Sequence, residues 1–250
     1  MRHLTDKNHT ICIRCSYSEI EASLHVSEQY LSSSSFAKYG FIHRSHSRNG
    51  WSLSVKLIEN IICASVRTIS KSHEGIEAVN VLVSGGTVSV TAEDDGINAT
   101  SEGSIVMTGG TVYVDSAGDG IDSNGSIEIS GGTLLINGPA SSANSAIDHD
   151  GTFTVTGGTI LAIGAPGMVD GIDTAKNQAV ISAYISGNAG DKITVTDASG
   201  NELVSITAER DYGHMFISSA SIQTGGTYTV NINGSAAASI TVGSSITNYN

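Results

Sequence analysis

Two short motifs recur through residues 72–175 with one shared period, and this limits what the chain can fold into more than any other feature. The first is acid-Gly-Ile-acid. It stands at Glu74-Gly75-Ile76-Glu77, Asp95-Gly96-Ile97-Asn98, Asp119-Gly120-Ile121-Asp122 and Asp170-Gly171-Ile172-Asp173, with a degenerate copy at Ser145-Ala146-Ile147-Asp148. Its isoleucines lie 21, 24, 26 and 25 residues apart. The second is Ser/Thr-Gly-Gly-Thr, whose threonines Thr87, Thr111, Thr133 and Thr159 lie 24, 22 and 26 apart. Between the motifs apolar residues alternate with polar ones, as in Ser126-Ile127-Glu128-Ile129-Ser130 and Thr87-Val88-Ser89-Val90. Alternation punctuated by glycine reads as strand and turn. A unit of this size cannot bury its own apolar row, but stacked copies can. A propeller blade needs ~40 or more residues, and a leucine-rich repeat needs its Leu/Asn ladder. The expectation is an all-β chain: a right-handed parallel β-helix with a C-terminal β cap.

Four segments follow from this reading. Residues 1–65 show no sustained apolar period and read as a patternless leader, disordered or not natural protein sequence, as a misassigned start or frameshift would produce. Cys12-x-x-Cys15 and His43-x-x-His46 have only a loose zinc-site spacing. Residues 66–180 hold the β-helix repeats. Residues 181–235 read as the cap, with a hairpin across Ser199-Gly200 joining Thr194 to Ile206. Residues 236–250, rich in Ser and Ala, read as a flexible tail.

Charge narrows the chemistry. The net charge is −12, and residues 72–175 contain fourteen acids with no Lys or Arg. Nucleic-acid binding needs clustered bases, so it is excluded. No segment is long and apolar enough to insert in a membrane. Met1 to Lys7 is not followed by the apolar stretch of a secretory signal. All three cysteines precede the repeats, so the repeats are not a disulfide scaffold.

In a β-helix, equivalent residues stack ~4.8 Å apart. The residues before Gly (Glu74, Asp95, Asp119, Ser145, Asp170) and after Ile (Glu77, Asn98, Asp122, Asp148, Asp173) then form two acidic columns, with Asp94 beside them. Unit charges at that spacing repel by ~1 kcal/mol in water and ~3.5 kcal/mol at an effective dielectric of 20. A cation between them answers the repulsion. Carboxylate and carbonyl oxygens point to Ca2+, with carbonyls at the motif glycines as further ligands. The candidate metal residues are Glu74, Glu77, Asp94, Asp95, Asn98, Asp119, Asp122, Asp148, Asp170 and Asp173. The threonine column reads as structural and the isoleucine column as core.

The combined pattern, seen in Glu93–Ala99 with Ser104–Val114 and in Gly118–Ser123 with Ser126–Ile136, resembles a clostridial-type family of carbohydrate-binding β-helix proteins similar in fold to pectate lyases. The resemblance spans about Ser72 to Ile232, and departs where family members carry further β-rich coils and this chain has its leader. It implies an extracellular or cell-surface, calcium-bearing, non-catalytic module. The partner it implies is an acidic plant cell-wall polysaccharide such as polygalacturonate. One alternative is a polysaccharide lyase, which needs a Lys or Arg base that the repeats lack. Another is a structural adhesin. Between Ser72 and Ala175 only Tyr113 and Phe153 are aromatic, which speaks against stacking on flat neutral polymers.

Overall fold

The computed structural model describes residues 10–13, 41–47, 50–56 and 68–250. Among them every regular element is a β-strand, and the repeats form a right-handed parallel β-helix of about four turns. Each turn contributes one short and one long strand. The short strands are Ile76–Ala78, Ile97–Ala99, Ile121–Ser123 and Ile147–His149, stacked in parallel with Ile on Ile. The long strands are Asn80–Ala92, Ile105–Ser116, Ile127–Asn137 and Phe153–Gly164, also parallel and adjacent.

The long strands bend at Gly-Gly. The second glycine of each pair (Gly86, Gly110, Gly132, Gly158) has φ between 79° and 89°. L-residues rarely adopt that conformation, and the pairing register shifts there. The bend turns the strand so that both arms direct alternate side chains inward. Val81, Val83, Val88 and Val90, with their counterparts in later turns, line one continuous core with the isoleucine column. Ile121, 2 % exposed, sits mid-stack. Ile121→Ala is expected to cost about 2–5 kcal/mol, because a packed column cannot close over the lost volume. Urea denaturation with an unchanged slope checks this.

Downstream, the exposed edge of Phe153–Gly164 is closed by an antiparallel strand, His214–Ser218. Val180–Ala183 pairs antiparallel with that strand, and Ile246–Tyr249 pairs parallel with Val180–Ala183. Covering the edge removes a row of unpaired backbone groups that would otherwise recruit other chains. A second sheet, entirely antiparallel, runs Glu202–Thr207, Lys192–Thr196, Thr227–Ile232, Ser235–Thr241. The expected hairpin is present, turning at Gly200 with φ 83°.

This sheet lies on the flank of the solenoid. Leu161 and Ile163, facing outward from the last long strand, belong to the second core with Ile193, Val195 and Val230. Tyr113 and Leu135 from earlier turns pack against the same core. At the seam, Asn137 Nδ2 donates to Tyr113 Oη (2.9 Å) and to the Thr207 carbonyl (3.1 Å), and Arg210 pairs with Asp115.

The expectation of a loose tail at 236–250 is corrected. Ser235–Thr241 completes the flanking sheet and Ile246–Tyr249 extends the main one, with Ile240 and Val242 buried. The backbone pairing and these apolar anchors outweigh the small-residue composition. Most of the leader, including Cys15 of the Cys-x-x-Cys spacing, lies outside the described residues. Of its described parts, Thr10–Ile13 pairs in parallel with Asn80–Val83, and Phe41–Ser47 forms a hairpin with Gly50–Lys56.

Candidate metal centre

The turn before each short strand is fixed rung to rung by the backbone. Gly75 N–H donates to the Asp95 carbonyl (2.9 Å), Gly96 N–H to Asp119 (2.9 Å) and Gly120 N–H to Ser145 (3.2 Å). The glycines are required by close approach. A Cβ on Gly120 would stand 2.3 Å from the Ala146 carbonyl oxygen and from Ile136 Cγ2. The idea that these glycines free their own carbonyls for metal is not met. The Gly96 and Gly120 oxygens accept from Ile76 and Ile97 N–H, and the Gly171 oxygen faces His149 Nε2 at 3.0 Å. Ligands would come from side chains.

In the first column, each aspartate reaches to the next turn. Asp95 Oδ1 accepts the Asp119 N–H (2.8 Å), and Asp119 Oδ1 accepts the Ser145 N–H (2.5 Å). One oxygen of each carboxylate therefore holds the stack together. Asp95 Oδ2 accepts from Asn98 Nδ2 at 3.3 Å, joining the first column to the second. In the second column Glu77, Asn98, Asp122 and Asp148 are direct register partners. Glu77 is exposed, whereas Asn98, Asp122 and Asp148 are half-buried.

Burial and mutual repulsion raise the affinity of these groups for protons. Burial pushes Glu74 up to about 7, with Asp95, Asp94 and Glu77 adding repulsion. Asp119 and Asp122 are each pushed up to about 6, by burial first and then by neighbouring aspartates that include Asp95 for both. In Asp119 this overcomes the hydrogen bond from Ser145. Asp148 rises to about 7 through burial and a hydrogen bond with Asp170. Asp95 is raised by burial. Two further oxygens, Glu74 Oε2 and Asn98 Oδ1, are shielded from water without a hydrogen-bond partner among the described residues. A shielded oxygen with no donor costs free energy unless a proton or cation meets it.

The last copy of the motif departs from the columns. Residues 170–173 have no rung on Ile147–His149, and a Cβ on Gly171 would have nothing within 4 Å. After the motif the chain rejoins the stack as Thr174–Ala175, in parallel with Thr154–Val155, while His214–Ser218 takes the next position along Ile160–Gly164. Asp173 is exposed and accepts the Phe153 N–H at 2.7 Å, a structural bond. Asp170 joins the second column instead of the first, beside Asp148, and its Oδ2 accepts the His149 N–H at 3.4 Å.

Two contributors fall outside the motif positions. Asp150 adds repulsion on Asp122. His73 directly precedes Glu74, and its Nδ1 lies 3.6 Å from Asp94 Oδ2. Its only sequence signal is adjacency to the motif in Ser72-His73-Glu74-Gly75. An imidazole therefore stands beside the acids at the first turn.

Fold and site together define a short, flank-capped parallel β-helix bearing stacked, mutually repelling carboxylates along one corner. The chain matches no protein-family model, no curated protein and no solved structure.

Proposed function

We propose that the protein is a calcium-dependent, non-catalytic binder of acidic polysaccharide. The observation that carries the reading is the two adjacent columns of half-buried acids, Asp95 and Asp119 linked turn to turn by hydrogen bonds and Asp122 and Asp148 in strand register, in a stretch without Lys or Arg. Hard oxygens in this arrangement suit Ca2+, which takes 6–8 of them in flexible geometry. Asp95, Asn98, Asp119, Asp122, Asp148 and Asp170 form the centre of the set, and Glu77 flanks it. Ions seated there would reverse the local potential and let a polyanion approach. Uronate carboxylates would complete the coordination. The repeat pattern, which resembles the carbohydrate-binding family, supports the same ligand class and a place outside the cell. Arg210, a base a lyase would need, is engaged by Asp115 at the cap seam.

Affinity electrophoresis in gels containing polygalacturonate tests the reading. Migration is expected to be retarded in millimolar calcium and restored by chelator, and Asp122→Asn combined with Asp148→Asn is expected to abolish the retardation. Equal migration with and without calcium sinks the proposal. Calcium-dependent release of unsaturated products, read by ultraviolet absorbance, would transfer the protein to the lyases.

A further inference from the structure

At the first described turn the chemistry changes. The column immediately before the acid-Gly-Ile column consists of His73, Asp94 and Gly118, held in line by Asp94 N–H to the His73 carbonyl (2.9 Å) and Gly118 N–H to the Asp94 carbonyl (3.1 Å). Only the first two rungs therefore place an imidazole over a carboxylate. At Gly118 the lack of a side chain lets the Asp94 and Asp95 carboxylates sit directly against the backbone. A Cβ there would lie 2.6 Å from Asp94 Oδ1 and 2.5 Å from Asp95 Oδ1.

We propose that His73, Asp94 and Glu74 form a binding site for a divalent transition metal of the zinc class, separate in kind from the calcium columns. One ligand atom from each of the three lies within 4.8 Å of the other two. The second observation is Glu74 Oε2, which is shielded from water and has no hydrogen-bond partner among the described residues. Among the described residues no donor accounts for that atom, which leaves it available to a cation. Imidazole nitrogen with two carboxylate oxygens suits zinc, cobalt or manganese, whereas calcium prefers oxygen alone. Zinc bonds of ~2.0–2.2 Å require the three atoms to draw closer together. His73 and Asp94 can do this, since their side chains are 76 % and 44 % exposed. Three protein ligands leave a coordination position open for water or a ligand hydroxyl.

The test uses Co2+ as the probe, added to the full chain in saturating calcium, with visible absorption and bound-metal stoichiometry as readouts. Cys12, Cys15 and the other histidines of the chain offer competing ligand atoms, so the deciding quantity is the difference between wild type and His73→Ala. The wild type is expected to bind one more cobalt ion than the variant and to lose the corresponding d–d absorption band on substitution. His73 is exposed, so the variant should keep its fold, which far-ultraviolet circular dichroism checks. Identical stoichiometry and spectra in the two proteins overturn the proposal. Asp122→Asn, which removes a calcium-column ligand and leaves the His73 group intact, should retain the extra cobalt ion. Loss of calcium-dependent stabilisation without loss of that ion would separate failure of the calcium reading from failure of this one.

Discussion

Excess chelator is expected to lower the melting temperature relative to millimolar calcium, and the gap should widen as pH rises from about 5 to about 8. The sign follows from the raised proton affinities. Glu74 and Asp148 titrate at about 7, and Asp119 and Asp122 at about 6, in the folded chain. Unfolded carboxylates titrate at ~4. Between those limits the folded state holds more protons than the unfolded one, so metal-free stability falls as pH rises. Below the unfolded range both states are protonated and there is no penalty; above about 7 the penalty is complete. This is the reverse of the usual acid denaturation of ion-paired carboxylates. Because the groups are only half-buried, solvent screening reduces the size of the effect but not its direction. Calcium takes the place of the protons at neutral pH and yields to them in acid. A site held at 100 times its dissociation constant adds ~2.7 kcal/mol, and a domain of this size gains ~2–4 °C per kcal/mol. Each filled site should therefore raise the melting temperature by about 5–10 °C at pH 8 and by little at pH 5. Differential scanning calorimetry in matched buffers measures both limbs. Metal-free and calcium-loaded melts that coincide at pH 8 would remove the basis for a calcium centre.

How far the sequence alone reached is clearest in particular residues. The isoleucine column was legible because Ile76, Ile97, Ile121 and Ile147 repeat where a β-helix must bury one side chain per turn. Once they were aligned, Asp95, Asp119, Asp122 and Asp148 followed as neighbours. Asp170 and Asp173 matched the motif but not the place. After Gly164 the chain rejoins the stack only past the motif, at Thr174, and an antiparallel strand some forty residues downstream takes the edge of Ile160–Gly164; local periodicity holds no information about non-local pairing. The flanking sheet leaves a sign in the sequence. The outward column Ser89, Tyr113, Leu135, Leu161 becomes apolar toward the C-terminus, which a solvent-facing column has no reason to do. The tail misled because Ser and Ala suggest fraying only when no sheet edge is waiting for them. His73 was missed since one imidazole beside a motif carries no pattern of its own. Its relation to Asp94 exists only after the turns are stacked.

Gly120→Ala and Gly171→Ala, the same substitution in two copies of one motif, are expected to act in opposite directions. At Gly120 the added methyl meets the Ala146 carbonyl oxygen and Ile136 Cγ2, each at 2.3 Å. Neither is the loose end of a flexible side chain. The carbonyl is held by the Ile121 N–H in the rung-to-rung ladder, and Ile136 is fully buried. Relief therefore requires separating two turns. Forced overpacking of this kind costs about 3 kcal/mol or more, a fall in melting temperature of roughly 6–12 °C. The shifted turn would also carry Asp119 and Asp122 away from Asp148, so calcium stabilisation should weaken together with the fold. At Gly171 nothing lies within 4 Å, and its φ is outside the left-handed region. Alanine there mainly restricts the unfolded chain, which stabilises by about 0.4–1 kcal/mol. Thermal melts of the two variants, each with calcium and with chelator, decide the matter. Equal destabilisation by both would mean that Asp170-Gly171-Ile172-Asp173 stacks as a fifth rung, and would return Asp170 and Asp173 to the columns. A rise for Gly171→Ala against a deep fall for Gly120→Ala would show that the column of short strands ends at Ile147–His149.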